Sequence, residues 1–460
     1  MNLKQQIYKI VPSRFRDRFT NGAKRSKDAA RNIAVSMVTK GVSLVISFLI
    51  VPLTINYVNP TQYGIWLTLS SVIAWITYFN LGLGNGFRNK FAEAKAKGDL
   101  DTARQYLSTT YFAITCLVLF LLLLALIANS FIDWSHLLKI DSSYSSELTR
   151  VFSIVCVFFC MTMVVNIFDS LLLADQKPGA SSIVHVIGQF ISLVTIFILT
   201  KFTAGSLTNL ALAYSSIPCI VMLLASFFAF YFTDYKKYAP SIKMIRPKLI
   251  KNILNLGVQF FFINICLILI FQIINFVITR ELGPNAVTQY NLAYKYFHII
   301  YMILVIIITP FWSAFTDAYA QKDYNWMKNT LHKLEMCALG SVGLGVVMLA
   351  ISPLFYKIWV GDVVQVPFFL SVTVLLYMLT QVFGAVYMQL INGIGTIRLQ
   401  LIIYIVFAIL SWPIITYSCR LFGVYGASIL PIIVYTVQSV FGRIQLNKLL
   451  NNRAKGIWAK

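Results

Sequence analysis

Two stretches of this chain place a lysine among polar side chains inside an otherwise apolar run. In the first, Lys40 belongs to a series of polar residues at three- and four-residue steps, a spacing that puts them on one face of a helix. The series is Asn32, Ser36, Lys40, Ser43 and Ser47. A lysine in apolar surroundings is a functional-site candidate because its charge is costly there. It either lines a water-filled cavity, where it can pair with an anion, or snorkels to the headgroups.

The second stretch has a similar face, made of Asn291, Tyr294, Lys295, His298 and Tyr301. Lys295 and His298 lie one helical turn apart, so the face offers two cations together with rings that can stack on sugars. An aromatic belt with a snorkelling lysine near the outer interface is the alternative. The deeper position of His298 favours a functional role.

Two further groups are suited to carrying protons. Asp169 is the most interior acid of the chain, and His185 shares a face with Ser181 and Gln189. Because apolar surroundings favour the neutral form of a carboxyl group, Asp169 could exchange a proton near neutral pH, with His185 and His298 as further candidates. A paired carboxylate at a helix end and a histidine that hydrogen-bonds between helices are the alternatives.

The composition shows which elements must position these residues. Of 460 residues, 58% are hydrophobic and only 12% are charged, and the mean hydropathy is +0.75. The apolar residues form repeated runs near the roughly 20 residues that a helix needs to cross a bilayer. This pattern predicts an all-α polytopic membrane protein and excludes a soluble enzyme.

Twelve spans are predicted, with edges uncertain by several residues. They are 32–55, 64–86, 107–131, 150–174, 180–202, 207–233, 253–278, 292–316, 333–356, 368–392, 399–420 and 424–446. Of the 38 Lys and Arg residues, 30 fall on the side of the amino terminus and 6 on the opposite side. The positive-inside rule therefore predicts that both termini are cytoplasmic.

The spans divide the chain into two lobes joined and flanked by basic segments. The predicted parts are a cytoplasmic segment 1–31, an amino-terminal lobe 32–233, a linker 234–252, a carboxy-terminal lobe 253–446 and a tail 447–460. Segment 1–31 lacks an apolar core, so no cleavable signal peptide is expected. The net charge of +22 is explained by orientation and by contact with anionic lipid, without nucleic acid.

The two lobes resemble each other when the chain is aligned with itself at one constant offset. Phe91, Ala94, Ala96 and Asp99 then align with Phe315, Ala318, Ala320 and Asp323, and Pro60 aligns with Pro284. Since each block has six spans, the lobes share one orientation, as in transporters built from parallel repeats. The sequence therefore predicts two six-helix bundles related by a pseudo-two-fold axis along the membrane normal.

Several other chemistries lack their sequence patterns. Gly82, Gly84 and Gly86 end a span instead of linking a strand to a helix, and no phosphate-binding loop of the G-x-x-x-x-G-K-[ST] type occurs. The seven cysteines show neither zinc-site nor disulfide spacing. No metal, cofactor or catalytic residue is predicted.

Two motifs carry a resemblance to a known family. NPTQYGIW from Asn59 to Trp66 and NLGLGNGFRNKFAEAKAKGDLDTARQY from Asn80 to Tyr106 resemble the bacterial polysaccharide exporter family. Within it, the chain is most similar to Wzx-type flippases of O-antigen and capsule repeat units, which are relatives of multidrug and toxin extrusion (MATE) transporters. The twelve-span plan extends the resemblance loosely over almost the whole chain.

The resemblance implies a MATE-like fold and a flippase in the bacterial inner membrane, with no enzymatic activity. Its substrate would be an undecaprenyl-diphosphate-linked oligosaccharide that crosses a cationic cavity between the lobes by alternating access. Arg88 and Lys90 occupy charged positions of the matching motif and join Lys40, Lys295 and His298 as expected substrate-binding residues. Family members often carry Asp at the position of Asn80. A complex with a polysaccharide polymerase and a chain-length regulator is left open.

Two rival functions are considered. A cation-coupled exporter of drugs or metabolites would favour acidic residues in its cavity, and few intramembrane acids are present here. A membrane enzyme acting on lipid-linked sugars would need paired carboxylates near the bilayer surface. Glu93, Asp99 and Asp101 cluster, but on a predicted cytoplasmic connector.

Overall fold

The computed structural model describes residues 24–78, 83–175, 177–254, 265–320, 322–396 and 398–459. Within these ranges every regular element is helical, and no strand occurs. Residues 1–23 of the predicted basic segment 1–31, Asn80, and residues 255–264 of the seventh predicted span lie outside the described residues, as do the side chains of Asn32 and Ser36.

Fifteen α-helices are present in the described ranges. They are α1 (Lys24–Val58), α2 (Pro60–Tyr78), α3 (Leu83–Ala96), α4 (Leu100–Phe131), α5 (Trp134–Leu138), α6 (Ser145–Ala174), α7 (Pro178–Phe202), α8 (Leu207–Phe232), α9 (Lys248–Leu254), α10 (Ile273–Leu282), α11 (Pro284–Ala320), α12 (Tyr324–Val360), α13 (Phe368–Ile394), α14 (Arg398–Phe422) and α15 (Ile429–Leu450). A π-helical turn, Ile268–Gln272, leads into α10.

Eleven of the predicted spans overlap one of the long helices, and most of the described part of the seventh falls on the π-helical turn and α10. Nine described stretches are long and apolar enough to cross a membrane. They contain α10 and nine of the eleven long helices, because one stretch, Arg398–Leu450, includes both α14 and α15. The other two long helices, α2 and α11, pack against each other across the middle of the molecule.

The two halves repeat each other in backbone conformation as well as in sequence. Asp99 caps α4 by accepting from the Thr102 amide, and its counterpart in the second half, Asp323, caps α12 by accepting from the Trp326 amide. The preceding residues, Gly98 and Lys322, both have positive φ, at 76° and 57°. These matched caps confirm the predicted tandem repeat at the level of structure.

The buried side chains form two separate cores. One spans α1 to α8, here called the amino-terminal bundle, and the other spans residues 266–450, the carboxy-terminal bundle. Phe276, Leu292, Val360 and Val364 of the second half pack into the first core, and Leu67 packs against the second. The bundles therefore touch over a limited set of helices instead of merging.

The contact between bundles lies on the pseudo-two-fold axis. Thr288 donates a hydrogen bond to the Pro60 carbonyl oxygen over 2.7 Å, and a Cβ atom added at Gly64 would lie 1.8 Å from the Pro284 carbonyl oxygen. In the alignment of the two halves, Pro60 is equivalent to Pro284, and Gly64 to Thr288. The two contacts are thus equivalent to each other, as an axis through the crossing of α2 and α11 requires.

This crossing lies near one end of the molecule, where α1 gives way to α2; we call it the far end. The opposite end carries α3, α9 and the linker 234–252, and we call it the basic end. A second contact between bundles joins α12 to α1, since the Trp359 indole N–H donates to the Phe48 carbonyl oxygen over 2.7 Å.

Candidate functional site

A chain of amides crosses from one bundle to the other next to the α2–α11 contact. Asn275 donates to the Ser71 hydroxyl over 2.7 Å, and Asn291 donates to the Asn275 side-chain oxygen over 2.9 Å. The hydroxyl groups of Thr68 and Thr279 hydrogen-bond to each other one turn nearer the far end. These bonds join the two bundles near the far end through polar groups, which can separate into water more readily than apolar ones.

Lys295 lies one turn below this polar chain, on the side of the basic end. It lies one turn after Leu292, which packs into the amino-terminal core, so this edge of α11 faces the amino-terminal bundle. The side chain is half-buried, and it makes no hydrogen bond or ion pair with any residue that the structure describes. Among the described residues, Lys295 is therefore a cation without a protein counter-ion.

The position of Lys295 within its helix differs from the sequence-based expectation. The predicted span begins at residue 292, whereas α11 begins at Pro284. Lys295 thus lies about three turns into its helix, or about 16 Å along the axis at roughly 1.5 Å per residue.

An aromatic surface adjoins Lys295 on the next face of α11. The rings of Tyr294 and His298 are stacked at 5.2 Å, and Tyr301 lies 5.4 Å from His298. Tyr377 of α13 lies 5.9 Å from Tyr294 and stacks on Tyr435 of α15 at 5.9 Å. The predicted polar face of α11 thus becomes one side of a larger cluster of hydroxylated rings.

Glutamine side chains of the same bundle were not singled out by the sequence. Gln381 donates to the Tyr435 hydroxyl over 3.1 Å, but its own carbonyl oxygen is buried and has no partner among the described residues. Gln438 of α15 is buried as well, beside the Tyr404 hydroxyl. A glutamine in the centre of an apolar span is a signal of an interior polar site, and it could have found both.

The amino-terminal stripe lies against a parallel neighbour. Ser43 donates to the side-chain oxygen of Gln189, and the Tyr57 hydroxyl bonds the Thr203 hydroxyl over 2.9 Å, so α1 and α7 run in parallel at a constant offset of 146 residues. Lys40 is exposed, and Ser47 is half-buried. Ser43 therefore joins two helices, whereas Lys40 presents its ammonium group to the exterior of this helix pair.

Asp169 and His185 are brought together. The His185 Nε2 atom lies 3.3 Å from an Asp169 carboxylate oxygen, which also accepts a hydrogen bond from Ser181. This pairing joins α6 to α7 near the basic end of the amino-terminal bundle. Lys295 belongs to the other bundle. The structure thus places these groups as a pair linking two helices.

The charged positions of the motif lie on α3. Arg88 is exposed, and the Lys90 ammonium is 3.0 Å from Glu93, which also pairs with Lys97 at 2.8 Å. Hydrogen bonds from Lys97 and Lys90 lower the pKa of Glu93 to about 2, and the bond to Glu93 raises the pKa of Lys90. Both groups stay charged at physiological pH, so an anion must compete with Glu93 for Lys90.

The carboxylate of Asp175 links α3, the turn before α7 and the linker. Its side chain is 6% exposed, and it pairs with Lys95 and, over 3.0 Å, with Lys177. The Tyr235 hydroxyl donates to it over 2.6 Å, and burial raises the pKa of Tyr235 to about 12, so this donor stays protonated.

Replacing Asp175 by asparagine should destabilise the basic end of the amino-terminal bundle. The change removes the charge on which three donors converge, while water partly screens the two exposed lysines. We expect a loss of about 1–3 kcal/mol in the free energy of unfolding, as for charged hydrogen bonds. Thermal unfolding in detergent measures it, with the exposed Asp234→Asn as control. Equal melting temperatures for both variants would contradict the linking role.

A model of the family described as "Polysaccharide biosynthesis protein" matches residues 29–314. The chain belongs to this family. The match includes the motif from Asn59 to Tyr106 and Lys40, Lys295 and His298, and it confirms the resemblance that the motifs predict. Among the described residues, no group of His, Cys, Asp and Glu side chains could hold a metal ion.

Two relatives carry names that refer to O-antigen. The chain is 21% identical to a "Putative O-antigen export protein" of Yersinia pseudotuberculosis over 279 residues, which are 60% of this chain and 62% of that protein. It is 19% identical to a "Putative O-antigen transporter" of Salmonella typhimurium strain LT2 over 402 residues, covering 86% and 90% of the two chains. The match to the Yersinia protein thus spans less than two thirds of its length.

Solved structures of transporters share the fold. An inward-facing multidrug resistance MATE family transporter of the MOP superfamily has a TM-score of 0.68 at 14% identity, over 91% of this chain and 100% of its own. An outward-facing one has a TM-score of 0.56 at 15% identity, over 92% and 96%. These likenesses confirm the predicted all-α, MATE-like architecture, and with the apolar stretches they show a multi-pass membrane protein.

Proposed function

We propose that this protein is a flippase that moves an undecaprenyl-diphosphate-linked oligosaccharide from the inner to the outer leaflet of the bacterial plasma membrane. The observation that carries the proposal is Lys295, a half-buried cation that has no counter-ion among the described residues and lies on the edge of α11 that faces the amino-terminal bundle. The proposal places the substrate in a cleft between the two bundles at this edge. Membership of the polysaccharide biosynthesis family and the two O-antigen relatives support the choice of substrate class.

The substrate needs such a cation because of its diphosphate. Transfer of an isolated ionised group into hydrocarbon costs tens of kcal/mol on a Born estimate, so unaided flipping is negligible. An anion that pairs with a fixed cation in a polar cleft avoids most of this cost. Lys295 supplies the pairing at mid-depth, and exposed Lys40 on α1 supplies an earlier contact near the basic end.

The sugars of the substrate fit the aromatic surface of the carboxy-terminal bundle. Tyr294, His298 and Tyr301 are half-buried, so part of each side chain remains accessible. Such rings stack on the apolar faces of sugars, and the tyrosine hydroxyls can hydrogen-bond sugar hydroxyl groups. The polyprenyl tail stays in lipid beside the cleft.

The distribution of charge gives the direction of transport. With both termini in the cytoplasm, the basic end faces the cytoplasm and the closed α2–α11 contact faces outward. The substrate then enters from the basic end and leaves when the polar contacts at Ser71, Asn275 and Asn291 separate. Moving its negative charge outward gains roughly 2.3 kcal/mol per charge per 100 mV of membrane potential.

Proton coupling enters the proposal at two places. The Asp169–His185 pair could exchange a proton as α6 and α7 shift, and His298 could do so within the cleft. Asp169 already has His185 and Ser181 as partners. We therefore propose that Asp169 couples protonation to the movement of α6 and α7, and that it does not contact the substrate.

The test is deletion of the gene in its host, followed by quantification of lipid-linked oligosaccharide in the membrane and polymeric glycan at the surface. We expect complete lipid-linked units to accumulate and surface glycan to be lost, with both restored by the wild-type gene. Lys201→Ala, which changes an exposed lysine at the far end of α7, should also restore them. Unchanged lipid-linked sugars together with increased drug sensitivity would instead identify a multidrug exporter.

A further inference from the structure

A cavity of about 380 Å³ opens between α12 and α15 at the basic end, away from the cleft between the bundles. Its lining is mostly polar and comes from the first turns of α12 and the last turns of α15. The lining residues are Lys328, Leu331, His332, Glu335, Arg443, Asn447, Leu450 and Asn451. Nothing in the transport scheme uses them.

The charges of this cavity favour an anion. Lys328 and Arg443 are permanent cations at physiological pH, and His332 adds a third donor. The single carboxylate, Glu335, is already engaged: the Tyr387 hydroxyl donates to it over 2.8 Å, and the Arg443 Nε atom lies 3.6 Å away. Lys328 donates to the Asn451 side-chain oxygen over 2.8 Å, which directs its ammonium group along the cavity wall.

Exposed apolar side chains adjoin this polar cavity. Leu339 follows Glu335 by one turn of α12 and is 53% exposed, and Val440 precedes Arg443 by about one turn of α15 and is 52% exposed. Both lie further from the basic end than the charged residues. The exposed surface of the two helices is therefore polar at the basic end and apolar beyond it, which matches the headgroup and acyl chains of a phospholipid.

Aromatic residues place the cavity at the level of the headgroups. The Trp458 indole stacks on Phe441, and the Lys448 ammonium lies 3.8 Å from the centre of the Trp458 ring. Trp326 lies in the first turn of α12 at the same end. Tryptophan is enriched at membrane interfaces, so this end of the groove lies where lipid phosphates lie.

We propose that the cavity between α12 and α15 binds the phosphodiester headgroup of an anionic glycerophospholipid, whose acyl chains lie along Leu339 and Val440. Basic pockets between transmembrane helices on the cytoplasmic side are recognised sites for such headgroups. Lys328, His332 and Arg443 contact the phosphate, and Asn447 and Asn451 contact the headgroup hydroxyls. The lipid fills the space between α12 and α15, which both pack against α13 and make few direct contacts with each other. The inference does not depend on the proposed transport function.

The test is native mass spectrometry of the full chain in detergent, titrated with phosphatidylglycerol, phosphatidylcholine or glycerol 3-phosphate. Removing both cations with Lys328→Gln and Arg443→Gln should weaken binding of phosphatidylglycerol by about 25-fold, at about fivefold per charge. The matched control is Lys236→Gln with Lys237→Gln, two exposed lysines at the same end in the linker, which should change binding less than twofold. Phosphatidylcholine should bind weakly to every variant.

A third variant should have the opposite effect on lipid binding. Glu335→Gln keeps an acceptor for Tyr387 while removing the negative charge, so it should strengthen binding of phosphatidylglycerol by up to about fivefold. Equal weakening by the cavity and control variants would overturn the site in favour of general surface charge. Binding of glycerol 3-phosphate as tight as that of the lipid would overturn the lipid assignment, since a soluble phosphate compound would then be the occupant.

Discussion

Replacing Lys295 by methionine should strongly slow export of the lipid-linked oligosaccharide while leaving the protein folded and inserted. Methionine keeps the length and the apolar stem of lysine and removes only the cation. Since a hydrogen bond to a charged group contributes about 1.5–3 kcal/mol, the rate of flipping should fall roughly 10- to 150-fold. The measurement is flipping of a fluorescent undecaprenyl-diphosphate oligosaccharide in proteoliposomes.

The position of Lys295 predicts how its variants differ. Lys295→Arg keeps the charge and should retain much of the activity, whereas Lys40→Met removes an exposed cation and should have a smaller effect than Lys295→Met. Stability should not fall in Lys295→Met, because no described residue depends on this ammonium group as a partner. Full activity of both Lys40→Met and Lys295→Met would eliminate the cationic-cavity hypothesis.

The sequence predicts the helices of this protein well because the signals are local. Apolar length marks the spans, and the recurring motif around Asp99 and Asp323 marks the start of equivalent helices, which the two aspartates cap in the same way. The predicted repeat even locates residues of unusual conformation, because Asn59 and Gly283, which are equivalent in the two halves, have φ of 97° and 88°.

The site is predicted only in part, because its geometry depends on contacts between distant segments. The polar start of α11, Pro284 to Asn291, obscured the beginning of the eighth span, since a polar stretch normally lies outside the hydrocarbon. In the structure, Thr288 and Asn291 bond α2 and Asn275 instead of water. The helix therefore begins earlier than the hydropathy pattern indicates, and Lys295 lies further from its first residue.

The sequence also does not show which residues pair between helices. The spacing on α1 predicts a shared face, but no local signal shows that Ser43 bonds Gln189 of a parallel helix 146 residues away. Spacing likewise suggests Asp169 and His185 as separate proton carriers, whereas the structure joins them as partners. Spacing identifies residues that share a face, and only tertiary packing decides what that face meets.

Replacing Gly64 by alanine should prevent closure of the far end and thereby stop transport. Alanine is the better helix former by up to about 1 kcal/mol, so the change favours α2 itself. Its Cβ atom, however, would lie 1.8 Å from the Pro284 carbonyl oxygen and 2.6 Å from the carbonyl carbon, both backbone atoms that cannot move without moving α11. The bundles must separate at the axis, which at an overpacking cost of about 1–3 kcal/mol disfavours the closed state roughly 5- to 150-fold.

Cross-linking measures this closure directly. Thr68 and Thr279 join hydroxyl groups across the contact, so cysteines at both positions, in a background without the seven native cysteines, should form a disulfide in the closed state. The disulfide yield should fall in the Gly64→Ala variant, together with flipping, while the protein remains as stable to heat as the parent.

Gly343 of α12 provides the matched control. It is also a helical glycine, but a Cβ atom there would meet nothing within 4 Å, so Gly343→Ala gains helix propensity without a clash. Disulfide yield and transport should both stay at the parent level in this variant. If Gly64→Ala behaves like Gly343→Ala in both measurements, the α2–α11 crossing is not the closing contact, and the bundles must alternate about another axis. If instead only the disulfide yield falls, closure of this end is not required for flipping, and the alternating-access part of the proposal is wrong even where Lys295 remains essential.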